Sequence, residues 1–259
     1  MFENIRHCAK SDIGLHRRNN EDHFLIVDEG CDHYDRRKFG MFFVVADGLG
    51  GHAAGEIASE MACQEAVSAY YRDNTAFPGN TDAGELKIQR LEKSIWSAHH
   101  KVIKASREKE ELYGMGTTLS ALVLTDNKAL IGHVGDSRIY RCRNNSSERM
   151  TIDHTRNQAL IDTGQIRPEY ENNGCYGHIL TQALGGYGDM DAVFTRVEDV
   201  QSGDRFLLCT DGLHGHVTDN EIWGILMENS FPKTTCDKLV QAAIGKGGHD
   251  NVTVIVIQI

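Results

Sequence analysis

The sequence predicts an α+β sandwich, with antiparallel sheets inside and helices outside. Three observations point there. Short β-branched or aromatic runs, bounded by Gly, Asp or Asn, read as strands. These runs come in neighbouring groups, with a pair of helical stretches between the early and the later groups. The regular βαβα alternation of a doubly wound parallel sheet is missing. The 259 residues allow one large domain or two small ones. Only three prolines occur (Pro78, Pro168, Pro232), and no Pro- or Ser-rich linker divides the chain, so a single domain over 1–259 is expected.

The strand runs fall near 24–28, 39–46, 118–125, 129–134, 138–142, 192–197, 205–210 and 251–258. Residues 54–71 read as a helix, with Ala54, Ile57, Ala58, Met61, Ala62, Ala66 and Ala69 on one broad face. A second helix is predicted over 86–108, where Leu91, Ile95, Ala98, Val102 and Ala105 recur at helical spacing. The turn-rich stretch 73–85 connects the two. Shorter helices are predicted at 155–163, 219–228 and 234–244. Residues 164–190 are irregular and rich in Gly and Asn; a loop this long in a compact domain is often functional.

The formal net charge of −10 disfavours nucleic acid and anionic membrane as partners, since both reward clustered Lys and Arg. The seven cysteines are widely spaced with no C-x-x-C, which indicates neither a zinc site nor a disulfide framework and fits a reducing cytoplasm. The N-terminus has no apolar signal core. No apolar run approaches the ~20 residues of a membrane span.

Four aspartates stand beside strand-like runs. Asp47 follows 41–46, Asp136 follows 129–135, Asp211 follows 206–210, and Asp250 precedes 252–257. If these strands lie in packed sheets, four carboxylates meet at strand ends. Two like charges ~4 Å apart repel by about 4 kcal/mol at an effective dielectric of ~20. Either their pKa values rise or cations bind, and all-oxygen sites suit Mg, Mn or Ca. Each motif also has a bland reading. Arg17-Arg18-Asn19-Asn20-Glu21-Asp22 on an extended strand would alternate its faces; it serves either a phosphate and metal-bound waters or a solvated strand start. Asp47-Gly48-Leu49-Gly50-Gly51-His52 is either a turn or a glycine loop with its backbone close to a ligand. Gly135-Asp136-Ser137-Arg138 alone reads best as a hairpin turn. Thr210-Asp211-Gly212-Leu213 and His249-Asp250-Asn251 are weak singly; repetition gives them weight.

Taken in order, Arg17-x-x-Asn20-Glu21-Asp22, Asp47-Gly48-x-Gly50-Gly51-His52, Gly116-Thr117-Thr118, Gly135-Asp136-Ser137-Arg138, Asp211-Gly212-Leu213 and Asp250-Asn251 resemble the PPM family, the metal-dependent type 2C serine/threonine protein phosphatases, in its compact bacterial form. The resemblance runs from about residue 8 to the C-terminus. It implies a central β-sandwich of two antiparallel sheets with helices on both sides. It also implies a dinuclear Mn²⁺ or Mg²⁺ centre, with a weaker third ion. Asp47 would bridge the two metals, with the Gly48 carbonyl a further ligand. Asp211 and Asp250 would hold the first metal, and Asp136 with Asp211 the third. Glu21 and Asp22 would order metal-bound waters, and Arg17 would hold the substrate phosphate. A metal-bridged hydroxide would then attack phosphoserine or phosphothreonine in line. Residues 155–190 correspond to the family's flap. Expected partners are phosphorylated proteins and a cognate Ser/Thr kinase, with the chain a cytoplasmic monomer.

The sequence departs from the family at two places. Leu49 stands where many eukaryotic members carry the His proposed as general acid, which leaves the proton donor unassigned; His52 is nearby. His214-Gly215-His216 follows Asp211-Gly212-Leu213 where Trp or Thr, then Asp, is frequent. Two other phosphatase signatures are coincidental. Cys31-x5-Arg37 carries Asp32 and Asp35, which repel phosphate, and lacks the glycines of a thiolate phosphate loop. Asp189-Met190-Asp191 lacks an apolar strand before it. Two other functions compete: a phosphoprotein-binding pseudo-phosphatase, against which the intact aspartates argue, and a Ca-stabilised structural module.

Overall fold

The computed structural model describes residues 5–28, 30–31, 33–49, 54–72, 83–168, 171, 179–186, 190–228 and 231–259. Its strands are β1 (Arg6–Asp12), β2 (Asp22–Val27), β3 (Met41–Leu49), β4 (Gly116–Thr117), β5 (Leu119–Thr125), β6 (Lys128–Val134), β7 (Arg138–Arg143), β8 (Ser146–Arg149), β9 (Leu184–Gly185), β10 (Phe194–Asp199), β11 (Arg205–Cys209) and β12 (Val252–Gln258). Its α-helices are α1 (Arg36–Phe39), α2 (Gly55–Tyr71), α3 (Ala83–Glu108), α4 (Arg156–Asp162), α5 (Asp211–His214), α6 (Asp219–Glu228) and α7 (Pro232–Gly245). All pairings are antiparallel. One sheet runs β1-β12-β11-β7-β8. The other runs β10-β6-β5-β3-β4-β9, with β2 also on β3.

Alternation along the central strands builds the layers. Phe43 and Val45 of β3 point between the sheets, where they meet Ile139, Phe206, Leu208, Ile255 and Ile257 of the facing sheet. Phe42, Val44 and Ala46 point the other way, onto Ala58, Ala62 and Ala66 of α2 and Leu91, Ile95 and Ala98 of α3. Val252, Val254 and Val256 of β12 cover α5, α6 and α7 in the same manner. Both faces of each sheet are therefore dry, which is why these strands read as unbroken apolar runs. The order is helix, sheet, sheet, helix, as expected.

Several boundaries differ from the sequence reading. The run 39–46 breaks at its start: Phe39 ends the one-turn α1, capped by Asp35, and Gly40 has φ +94°. The β3 strand continues through Asp47 and Gly48 to Leu49, so Asp47 lies within a strand rather than after one. The helix expected from 86 begins at Ala83, which takes residues 83–85 out of the predicted turn; 73–82 lie outside the described residues. The 192–197 run is shifted to 194–199. The segment 164–190 includes β9. Finally, Gly135-Asp136-Ser137 is no hairpin turn. It joins β6 and β7, which lie in different sheets, and so crosses the top of the sandwich.

Candidate active site

The crossing from β6 to β7, the end of β3, the start of α5 and the approach to β12 meet at one end of the sandwich. Arg17, Glu21, Asp47, Gly48, Leu49, Asp136, Asp211 and Asp250 line one cleft of about 480 Å³ there, with Leu180, Gly212, Gly215, His216 and His249. Every residue expected at the site except Asp22 lines it, and Asp22 lies directly behind.

Backbone pairing aligns the acids. Register places Asp22 of β2 opposite Asp47 of β3. The Asp47 amide donates to Thr118 Oγ1 at 2.9 Å, while Thr118 N–H and Thr117 Oγ1 donate to the Asp47 carbonyl at 2.9 and 2.8 Å. This explains the Gly116-Thr117-Thr118 motif, which has no chemistry of its own. Gly48 is required by crowding, as a Cβ there would lie 2.2 Å from the Gly55 carbonyl oxygen. A Cβ on Gly212 would lie 1.9 Å from the Asn251 oxygen. Asn251 ties the loops together: its Oδ1 accepts from Glu21 N–H at 2.8 Å, and its Nδ2 donates to the Ile13 and Asn19 carbonyls. Residues 17–21 are irregular, with a bend at 18–19, rather than the extended strand expected, yet Arg17 and Glu21 still reach the cleft.

The electrostatics are those of uncompensated acid. Burial, then the charges of Asp22, Asp211 and Asp136, hold the Asp47 carboxyl well above the usual range. Burial pushes Asp22 up to about 7, against the hydrogen bond that Thr210 Oγ1 donates to its Oδ2 at 2.8 Å. Asp136 is raised by burial, then by Asp211 and Asp153, with Arg138 opposing. Glu21 is raised by burial, with Arg17 opposing. Asp22 Oδ1 is buried with no hydrogen-bond partner. Carboxylates crowded together beside a backbone carbonyl are the donor chemistry of a hard divalent ion. Among the described residues, no group of three or more His, Cys, Asp or Glu side chains already forms a site that could hold an ion. Arg17 Nη2 meets Asp250 Oδ2 at 2.6 Å, at the rim.

Around this floor lie residues the motifs did not place. His214 is buried, and its Nε2 donates to the Asp136 carbonyl at 2.9 Å, so this departure from the family pattern braces the crossing. Arg138, 2% exposed, forms a two-pronged pair with Asp153. The next residue, His154, exchanges hydrogen bonds with Gly135. Thr210 shows no sequence signal beyond its neighbour Asp211. Of the two coincidental signatures, Cys31 packs against the helix-side core away from the cleft lining; Asp32, Asp189, and also Gly50 and His52, lie outside the described residues.

Comparison with known proteins agrees with this geometry. A family profile described as Protein phosphatase 2C matches residues 19–243. The serine/threonine protein phosphatase PstP of Mycobacterium tuberculosis is 34% identical over 98% of this chain, which spans 45% of that relative's length. The serine/threonine phosphatase stp of Listeria welshimeri is 33% identical over 96% of this chain and 94% of its own. A crystal structure of the PstP catalytic domain in complex with two manganese ions superposes with a TM-score of 0.79 at 32% identity, covering 98% of this chain and 97% of that one.

Proposed function

Since the chain belongs to the protein phosphatase 2C family, we propose that it hydrolyses phosphoserine and phosphothreonine in proteins with Mn²⁺ or Mg²⁺ and opposes a Ser/Thr kinase. The observation that carries this reading is the set of half-buried and buried, mutually repelling carboxylates on the floor of a cleft with an arginine at its rim. Asp47, the Gly48 carbonyl, Asp211 and Asp250 would hold two ions, the number in the manganese complex of the related catalytic domain. Asp136 with Asp211 would hold a weaker third. Ions of this kind keep several waters, so side-chain ligands need not enclose them. When bound, they supply Lewis-acid activation of water and neutralise phosphoryl charge.

The chain's own residues do the rest. Arg17 presents a planar fork to the phosphate and orients it. Glu21, its backbone fixed by Asn251, would accept hydrogen bonds from waters in the cleft, and Asp22, held by Thr210 behind Asp47, would accept from a metal-bound water on the inner side. The Asp47 backbone, pinned by Thr117 and Thr118, keeps the site geometry preorganised. Hydrolysis of a phosphothreonine peptide and of p-nitrophenyl phosphate, with and without Mn²⁺, tests the assignment. Turnover only with the metal supports it. Peptide binding without turnover would mean a pseudo-phosphatase, and stabilisation by Ca²⁺ without turnover a structural module.

A further inference from the structure

Three imidazoles form a row that reaches the cleft, where His216 and His249 line it. The His16 and His249 rings are stacked, with centroids 4.8 Å apart and planes at 17°. His249 in turn meets His216, with centroids 5.2 Å apart. The stack is held from below. A Cβ on Gly247, which has φ +120°, would lie 2.4 Å from His249 Nε2, so glycine alone lets the ring fold back there. His216 sits on the first turn after α5, between Gly215, whose N–H donates to the Asp211 carbonyl, and Val217, whose N–H donates to the Leu213 carbonyl. Its backbone is thus fixed, and its half-buried side chain lines the cleft.

The geometry points to His216 as the proton donor to the leaving seryl or threonyl oxygen, an inference that rests on the phosphatase reading. Hydrolysis forms a bond from a water oxygen to phosphorus as the P–Oγ bond breaks. The electron pair stays on Oγ, which takes a proton from the His216 imidazolium. The water's lost proton goes to solvent, and solvent reprotonates the imidazole. Among the described residues lining the cleft, only His216 and His249 are neither carboxylate, guanidinium nor non-titrating. The carboxylates are committed to cations or to ordering water, and Glu21 faces the Arg17 charge. Imidazole is the side chain suited to giving up a proton near neutral pH. His249 is wedged between two rings and Gly247, and serves to position His216.

Leaving-group dependence separates a proton donor from a structural residue. An alkoxide needs a proton to depart; p-nitrophenolate leaves as a stable anion. Replacement His216→Gln is expected to lower kcat on a phosphothreonine peptide by about 100-fold and on p-nitrophenyl phosphate by about fivefold or less. The His216→Ala variant is expected to recover peptide hydrolysis when imidazole is added, which also covers a poorly folded glutamine variant. Equal losses on both substrates, no loss on the peptide, no imidazole rescue, or the same split in His52→Gln instead would overturn the assignment. Wild-type protein that hydrolyses neither substrate with Mn²⁺ would overturn the phosphatase reading and this one with it.

Discussion

Asp22 and Asp47 face each other across β2 and β3, a buried and a half-buried acid in direct cross-strand register. Like charges placed so destabilise a sheet. Their partner residues do little to offset this, since Thr210 donates one hydrogen bond to Asp22 and its other oxygen has none. The pair therefore costs stability that the proposed ions would restore.

That cost is measurable. Asp22 is pushed up to about 7, so the penalty is present above that pH and fades as pH falls toward the ordinary carboxylate range. At pH 8 without divalent ions, Asp22→Asn should raise stability by about 1 kcal/mol, or about 2–4 °C in Tm. Added Mn²⁺ should stabilise wild type more than the variant. A variant that melts below wild type in EDTA would count against the charge argument.

His133 behaves in the opposite sense. Burial, then the neighbouring His154, pushes its imidazole down to about 3. Its Nδ1 lies 2.8 Å from the Ser120 hydroxyl and its Nε2 3.1 Å from the Ile152 carbonyl. The folded state binds fewer protons here than the unfolded chain, so this stability is full above pH 6.5 and is lost as pH falls toward 3. The loss reaches about 2 kcal/mol at pH 5. The aspartates of the cleft titrate with the reverse sign, so the effect is read as a difference. Denaturant melts of His133→Gln should show a flatter loss between pH 7 and 5 than wild type; parallel curves would refute the buried neutral ring.

The Arg138–Asp153 pair anchors the crossing that carries Asp136. Asp153→Ala would leave a guanidinium 2% exposed without its two-pronged partner, at a cost of about 3–5 kcal/mol. Denaturant unfolding measures this, and a loss under about 1 kcal/mol would show that Glu171 and Tyr140 suffice as partners.

Arg17 is proposed to bind the substrate phosphate. Arg17→Ala should raise KM for a phosphoester by about tenfold or more while Mn²⁺ affinity, measured by calorimetry, changes less. An unchanged KM and kcat would remove Arg17 from the site.

What the sequence revealed follows from which signals are local. The buried strands announce themselves because both faces are dry. The β1 and β8 strands do not: Arg6–Asp12 mixes charge with half-buried positions at a sheet edge, and Ser146–Arg149 is polar throughout, held by its pairing with β7 and by ion pairs of Glu148 and Arg149. The β4 and β9 strands are two residues long and exist through each other and β3. The acids were legible because glycine and a neighbouring strand mark each one. Thr210, Asp153 and the His16–His249–His216 stack were not, since their meaning lies in contacts 15 or more residues apart in the chain or in ring geometry.

We propose above that the carboxylates on the cleft floor hold catalytic divalent ions. The most direct test is Mn²⁺-dependent hydrolysis of a phosphothreonine peptide by wild type and Asp47→Asn, with Mn²⁺ binding followed by calorimetry on the same samples. The account predicts metal-dependent turnover by wild type, a loss on the order of 100-fold or more in the variant, weakened Mn²⁺ binding and a retained fold. Turnover by Asp47→Asn within tenfold of wild type, or wild-type turnover undiminished by EDTA, would contradict it.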